Sequence, residues 1–322
     1  MRTASSMYGL SPLLRLRYLY EVFCVHLHDR HDFGFLRTWE QQITDILRRW
    51  LPKDPSQMSV VEIGFGQRPA RLIWATGLFG SVSGIDLDRP ILSFSWRAAL
   101  NVIRTNGLLR GVKTGCRSLL FDAPYYRALL DYFAKRFGYP PKISDDLFEV
   151  GDAACRSTWG ERLPLDLIYS EGVFEHIPPD GIRAICRTVA EMLQSNGLAL
   201  ITVNVFTGIT GGHIPEWYGN SVNNGMPKQT RPWGHLRGDP LTADTYLNQL
   251  RLSDYEDIFE RCFEIVDHQK FNYGIGEPFL TPPVEAELSD YSRDELLTDY
   301  VRFVLRPRRI APASNRHQAT TT

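Results

Sequence analysis

The chain has 322 residues, of which 43% are hydrophobic and 12% are aromatic, enough to bury a sizeable core in one large domain or two modest ones. This composition excludes a disordered or fibrous protein. Lys and Arg number 36 against 37 Asp and Glu, so the net charge of -1 gives no broad positive field for a polyanion. We therefore expect no nucleic acid partner.

Membrane and secretion signals are absent from the pattern of the sequence. The longest uncharged apolar run, residues 198–206, is about half of the ~20 residues that a membrane-spanning helix needs. Arg15 and Arg17 interrupt the apolar N-terminal stretch, which predicts no secretory signal. The 5 cysteines are far apart and form no C-x-x-C pair, so neither disulfides nor a zinc site is predicted. These features favour a cytoplasmic protein with no membrane span.

Short β-branched runs alternate with helical periodicity between residues 58 and 206. This alternation is typical of βαβ units and a parallel sheet. The predicted strands are residues 58–63, 81–86, 147–150, 165–169 and 198–205. The predicted helices are residues 69–77, 90–106, 123–137 and about 180–196, the last ending at Asn196 and Gly197.

The segment after the fifth predicted strand is a long loop, residues 207–240, rich in Gly, Pro, His, Trp and Asn. Loops of this length in a compact domain are usually lids or binding loops. Ser253 and Glu256 predict a capping box at the start of the next helix. Residues 263–271 and 300–306 predict two further strands that close the sheet at one edge.

The sequence therefore predicts an α/β fold with a Rossmann-like, doubly wound, mostly parallel seven-stranded sheet and an antiparallel edge strand. Residues 1–50 are expected to form a helical N-terminal cover, and residues 51–306 the main domain. Residues 111–146 and 207–250 are expected to be insertions that form a substrate lid, and residues 307–322 a disordered tail.

A glycine-rich turn after the first strand predicts a nucleotide site. Gly64 and Gly66 lack a Cβ, so a ligand can lie against the backbone where the strand becomes a helix. Asp86 follows 22 residues after Gly64, where a carboxylate can accept hydrogen bonds from both ribose hydroxyls. The dinucleotide fingerprint requires a third glycine where this chain has Pro69, which weakens an NAD interpretation.

Two more acids are predicted to surround this pocket, Glu62 before the turn and Asp152 after the third strand. An anionic pyrophosphate would be repelled by them, whereas a cationic ligand with an amino group would be attracted. The charge pattern thus favours a cationic nucleoside over a dinucleotide.

Four segments in this order and spacing resemble the class I S-adenosylmethionine-dependent methyltransferase family. They are residues 60–66, 84–88, 151–153 and 166–177, and the resemblance covers about residues 58–206, with the edge strands extending it towards 306. It implies S-adenosyl-L-methionine as the cofactor and methyl transfer as the reaction.

The resemblance also implies roles for individual residues. Glu62, Gly64 and Gly66 would line the amino acid end of the cofactor, and Asp86 would hold the ribose. Leu87 would pack on the adenine ring, and Asp152 would accept a hydrogen bond from the exocyclic amine. Ala153 and Glu171 are also predicted to bind the cofactor. Arg68 occupies the position of a third glycine in many relatives, where it is available to pair with the cofactor carboxylate.

Methyl transfer from a sulfonium is an in-line displacement, so the protein mainly aligns the reacting atoms and excludes water. A hydroxyl acceptor would gain about 10²-fold to 10⁴-fold from a general base. His213 and His235 in the long loop, and His176 after the fourth strand, are the candidates. Alternatively, the loop histidines stabilise the loop, and Glu175 and His176 cap the following helix.

Aromatic residues in and after the long loop, with polar residues nearby, suit a small-molecule or saccharide acceptor, and we predict O-methylation. An ordinary packed lid would have the same composition. These residues are Trp217, Tyr218, Trp233 and Tyr246. A histidine and acid pair in the loop could bind a divalent ion, but the spacing is not diagnostic, so no metal ligands are assigned. Two alternatives stay open, an NAD(P)-dependent oxidoreductase and a non-catalytic binding protein with the methyltransferase fold. The sequence leaves the oligomeric state undecided.

Overall fold

A seven-stranded sheet forms the centre of the computed structural model, with the order β3-β2-β1-β4-β5-β7-β6. The strands are β1 (Ser59–Ile63), β2 (Ser81–Asp86), β3 (Phe148–Val150), β4 (Leu165–Glu171), β5 (Leu193–Asn204), β6 (Phe263–Phe271) and β7 (Tyr300–Pro307). Neighbouring strands from β3 to β5 pair in parallel, while β7 runs antiparallel between β5 and the outermost strand β6. The predicted fold class is confirmed, and the reversed strand lies one position inside the edge.

The structure describes residues 32–90, 92, 122–162, 164–241, 243 and 245–308. Four predicted segments lie wholly or mostly outside the described residues. They are most of the helix at residues 90–106, the first part of the insertion at 111–146, most of the tail at 307–322 and the start of the N-terminal cover. The helices within these ranges are α1 (Gly34–Trp50), α2 (Ala70–Ala75), α3 (Ala123–Phe137), α4 (Pro179–Met192), α5 (Gly219–Asn223), α6 (Leu252–Glu260), α7 (Pro282–Glu287) and α8 (Arg293–Leu296).

Helices α1, α2 and α3 cover one face of the sheet with a largely aromatic core. Trp74 of α2 lies within 5.0–6.0 Å, between ring centroids, of Tyr132, Phe133 and Phe137 of α3. Helix α1 buries Leu36, Trp39, Ile43, Ile46 and Leu47 in the same cluster. The stripe of aromatic residues on α3 therefore serves packing, and α1 is the described part of the predicted N-terminal cover.

Helices α4 and α6 cover the opposite face. Ile182, Ile185 and Val189 of α4 pack with Phe259 of α6 and with Phe303 of β7. The face of α4 that the helical spacing of its apolar residues predicts is the face that is buried.

Three predicted helix boundaries are wrong. Helix α2 ends at Ala75, not at residue 77. Helix α4 ends at Met192, not at Asn196 and Gly197, because Leu193 is buried and pairs with Leu165 of β4 at the start of a longer β5. Helix α6 begins at Leu252, which places Ser253 inside the helix. The carboxylate of Asp254 accepts the Arg251 N–H at 2.8 Å instead of the predicted capping box.

The long loop after β5 has a core of its own. Trp217 and Trp233 are almost fully buried, and they pack with leucines of residues 280–297. Nε1 of Trp217 donates to Thr230 Oγ1 at 2.8 Å. These two rings are thus part of a packed lid, whereas Tyr246 is 49% exposed. Among the described residues, no helix combines the length and the apolarity needed to cross a bilayer.

We expect the packing of α1 to contribute substantially to stability. Ile43→Ala should lower the free energy of unfolding by about 2–5 kcal/mol, because the side chain is 1% exposed and its removal leaves a cavity. Gln41→Ala, on the exposed side of the same helix, should change it by less than about 0.5 kcal/mol. Chemical denaturation measures both, and equal losses would contradict this placement of α1.

Candidate functional site

A crevice of about 350 Å³ opens at the carboxyl ends of β1, β2 and β4. Open α/β sheets bind their ligands at this edge. The crevice is lined by Glu62, Gly64, Phe65, Gly66, Arg68, Ala70, Arg71, Asp86, Glu171, Gly172, Val173 and His176. The structure therefore brings together six of the predicted site residues, Glu62, Gly64, Gly66, Asp86, Glu171 and His176.

The turn between β1 and α2 requires its glycines. Gly64 and Gly66 have φ values of 76° and 65°, in the left-handed region that favours glycine. A Cβ at Gly64 would lie 2.5 Å from Cγ2 of Val173, whereas a Cβ at Gly66 would meet nothing within 4 Å. The Gly66 N–H donates to Oδ2 of Asp86 at 2.8 Å, which joins the turn to the end of β2.

Two buried carboxylates lie at the back of the crevice. Glu62 accepts a hydrogen bond from the Tyr169 hydroxyl at 2.9 Å, and burial raises its pKa to about 8 although Arg71 opposes the shift. Glu171 forms an ion pair with Arg302 at 2.9 Å and accepts from Nε1 of Trp39 at 3.0 Å. Glu62 therefore holds a proton that a nearby cation would displace.

The residues predicted for the adenine end lie beside the crevice and do not line it. The Gly151 N–H donates to the Asp86 carbonyl at 2.9 Å, which places the loop after β3 next to the end of β2. Leu87 is 72% exposed, an unusual exposure for a large apolar side chain. Asp152 is exposed and accepts the Ala154 N–H at 2.8 Å, whereas Ala153 is buried in the core.

Arg68 and Arg71 bring positive charge to the same crevice. Arg68 pairs with Asp122 at 3.1 Å, and its guanidinium lies 4.4 Å from the ring centroid of Tyr125. Arg71 lies 5.4 Å from the ring centroid of Phe35. Two guanidinium groups thus lie in the crevice, and that of Arg68 is already paired with Asp122.

A second group of polar side chains adjoins the crevice at His176. One potential ligand atom each of Glu175, His176 and His213 lies within 4.8 Å of the other two. The rings of His176 and His213 have centroids 5.0 Å apart. Burial lowers the pKa of His176, and burial together with the two other histidines lowers that of His213 to about 4, so both rings are neutral at pH 7.

The third predicted histidine, His235, lies in a different environment. Its Nε2 is 2.8 Å from the Phe206 carbonyl, and burial lowers its pKa to about 4. Because a carbonyl oxygen only accepts, this nitrogen carries a proton and donates to the backbone. His235 therefore binds the loop backbone, as the loop-stabilising alternative expects.

Sequence reasoning missed the residues that hold the acids in place. Arg302 is 3% exposed and its guanidinium reaches Glu171, Thr202 and Gln42. A charged residue between Val301 and Phe303 in an apolar strand was the signal that could have indicated this role. Tyr169 and Trp39 carry no comparable signal, since aromatic residues are ordinary core residues.

Comparison with known proteins finds matches among solved structures only. No protein-family model and no curated protein matches the sequence. A TehB-like SAM-dependent methyltransferase from Corynebacterium glutamicum is 13% identical, with 86% of this chain and 100% of that chain covered, at a TM-score of 0.36. Magnesium protoporphyrin IX methyltransferase from Synechocystis, solved with bound SAH, is 12% identical, with 85% and 84% covered, at a TM-score of 0.40.

A SAM-dependent methyltransferase from Mesorhizobium loti is 16% identical, with 81% of this chain and 96% of that chain covered, at a TM-score of 0.41. The seven-stranded sheet, with β7 reversed between β5 and β6, is a Rossmann-like α/β arrangement.

The two glycines of the turn should respond differently to the same substitution. Gly66→Ala should cost about 1–2 kcal/mol of stability, from the left-handed backbone alone. Gly64→Ala should cost about 1–3 kcal/mol more, because its Cβ overlaps Val173. Thermal and chemical unfolding of both variants measure the difference, and equal losses would contradict the contact with Val173.

Proposed function

We propose that the protein is an S-adenosyl-L-methionine-dependent methyltransferase. The observation that carries the proposal is the arrangement of Asp86, which bonds the glycine turn at Gly66 and lines the crevice together with the buried Glu62. A carboxylate at the end of β2 can accept from ribose hydroxyls. Glu62 at the end of β1 carries a proton, and a cationic ligand can take the place of that proton beside the carboxylate.

In this proposal the cofactor residues divide along the crevice. Glu62, Gly64, Gly66 and Glu171 surround the amino acid end, and Asp86 holds the ribose. Leu87 offers its exposed side chain to the adenine ring, while the exposed Asp152 accepts from the exocyclic amine and Ala153 contributes backbone beside it. Burial of Leu87 under a flat ring would remove apolar surface from water, which favours binding.

The arrangement argues against a nicotinamide dinucleotide. Pyrophosphate binding depends on backbone N–H groups that are free at a helix N-terminus. Here the Gly66 N–H donates to Asp86, and helix α2, Ala70–Ala75, is short.

For the acceptor we propose a hydroxyl of a small molecule or saccharide. His176 lines the crevice, and His213 lies beside it on the lid, so these two histidines are placed to act on an acceptor that approaches the methyl donor. The exposed Tyr246 offers an apolar face on the same side, since its carbonyl bonds His176. His235 is assigned to the loop and not to the chemistry.

The cofactor assignment is tested by ligand-induced stabilisation. S-adenosylmethionine and S-adenosylhomocysteine should each raise the melting temperature, and NAD should not. At a ligand concentration of 100 times the dissociation constant, binding adds about 2.7 kcal/mol to the free energy of unfolding. Asp86→Asn should abolish the shift, whereas Asp88→Asn, an exposed neighbour, should retain it. A shift with NAD alone would contradict the proposal, and no shift with any ligand would favour a non-catalytic protein.

Cofactor binding should also release a proton. Glu62 is mainly protonated at pH 7 because its pKa is raised to about 8, and a cationic amino group nearby favours the ionised form. Affinity for S-adenosylhomocysteine should therefore rise between pH 6 and pH 8. Calorimetry in buffers of different ionisation enthalpy measures the released proton.

Glu62→Gln is the matched variant for this proton, because it keeps the shape of the side chain and cannot ionise. It should release no proton and should show a flatter pH dependence. Proton release that persists in Glu62→Gln would assign the effect to another group. The acceptor itself is found by incubating the protein with labelled methyl donor and a panel of hydroxylated metabolites and glycans.

A further inference from the structure

Three potential metal ligands meet where the lid adjoins the crevice. Glu175 and His176 belong to the single turn Phe174–His176 after β4, and His213 lies on the lid after β5. One ligand atom of each residue lies within 4.8 Å of the others. The fold therefore brings a carboxylate and two imidazoles from distant parts of the chain to one point.

The carboxylate of Glu175 is only partly satisfied. The residue is 4% exposed, and its Oε2 is buried without a hydrogen-bond partner among the described residues. A buried carboxylate oxygen without a partner is costly, and a bound cation would remove that cost.

The ring of His176 is oriented as in metal-binding histidines. Its Nδ1 is 3.0 Å from the Tyr246 carbonyl, so Nδ1 carries the proton and Nε2 of the neutral ring keeps its lone pair. A backbone carbonyl on the far nitrogen is a common support of a ligating histidine, because it fixes both the tautomer and the ring plane.

His213 is held in a strained position with an unused nitrogen. Its φ is 53°, which is uncommon for a residue other than glycine, and its Nε2 is buried without a hydrogen-bond partner among the described residues. Strained backbone of this kind is found where the surrounding structure demands one position of a side chain. In His213 this backbone conformation places the ring beside that of His176, with the two ring centroids 5.0 Å apart.

We propose that Glu175, His176 and His213 bind one divalent transition-metal ion, with Zn²⁺ or Fe²⁺ as the fitting class. Two imidazoles and one carboxylate suit these ions, whereas Mg²⁺ and Ca²⁺ prefer oxygen ligands. Ligands at about 2.0–2.1 Å in a tetrahedron lie about 3.3 Å apart, so small side-chain rotations close the site. Three protein ligands leave a position open for an exogenous oxygen.

The open coordination position of the proposed metal ion would lie beside the crevice, because His176 belongs to both. His176 lines the crevice as well as the metal site, so an oxygen bound to the ion would lie next to the proposed methyl donor. A divalent ion lowers the pKa of an oxygen bound to it. Binding of the ion stands independently of the methyltransferase proposal, and only this use in activating an acceptor hydroxyl rests on it.

Metal binding is tested on the full chain after removal of metal with a chelator. Calorimetric titration with ZnCl₂ should give one ion per chain, and titration with CoCl₂ should give the visible absorption of a four- or five-coordinate cobalt site. S-adenosylhomocysteine titrated into the metal-free protein reports on the proposed cofactor site separately. Failure of one titration therefore does not imply failure of the other.

The ligand set is tested with variants chosen to keep the fold. Glu175→Gln preserves the shape of the side chain, and His213→Asn places a residue that tolerates the left-handed backbone. Each should weaken metal binding by about 100-fold or more, since the loss of even an outer partner costs 10–100-fold. His268→Ala, an exposed histidine on β6, should bind metal as the unmodified chain does.

Three results would overturn the proposal. The first is the absence of Zn²⁺ and Co²⁺ binding to the folded, unmodified chain. The second is binding that both ligand variants retain, which would locate the ion elsewhere. The third is equal loss in His268→Ala, which would indicate binding to surface histidines. Circular dichroism and melting temperature establish that each variant is folded before it is titrated.

Discussion

The buried ion pair between Glu171 and Arg302 holds the site to the rest of the fold. The two side chains are 7% and 4% exposed, and their 2.9 Å contact joins the end of β4 to the reversed strand β7. Trp39 and Gln42 of helix α1 bond the same two groups. Removal of one partner of such a pair leaves an uncompensated buried charge. The pair therefore depends on β4, β7 and α1 staying in contact, and these three elements stabilise the crevice together.

Much of the fold follows from local signals in the sequence. Strand β2 and helix α3 have the bounds that their patterns predict, and α3 buries the face that its helical periodicity marks. The errors fall where distant contacts override local preference. Leu193 leaves the helical pattern because it pairs with Leu165, and Trp217 lies in the core of the lid, where the sequence alone left open a binding face.

The candidate site divides in the same way. Gly64, Gly66 and Asp86 are predictable because a tight turn and a strand end require particular residue types at short spacing. The meeting of Glu175 with His213 is not predictable in this way, because 38 residues separate them and only the course of the lid brings them together. Arg302 is only partly predictable. Its apolar neighbours in the strand indicate that it is buried, but they do not indicate that Glu171 is its partner.

The lid has a hydrophobic centre separate from those of the sheet. Its buried members, among them Ile209, Trp217, Trp233 and Leu280, do not contribute to the clusters on either face of the sheet. The loop after β5 is therefore a unit whose apolar core can be repacked by substitution separately from the two clusters on the sheet.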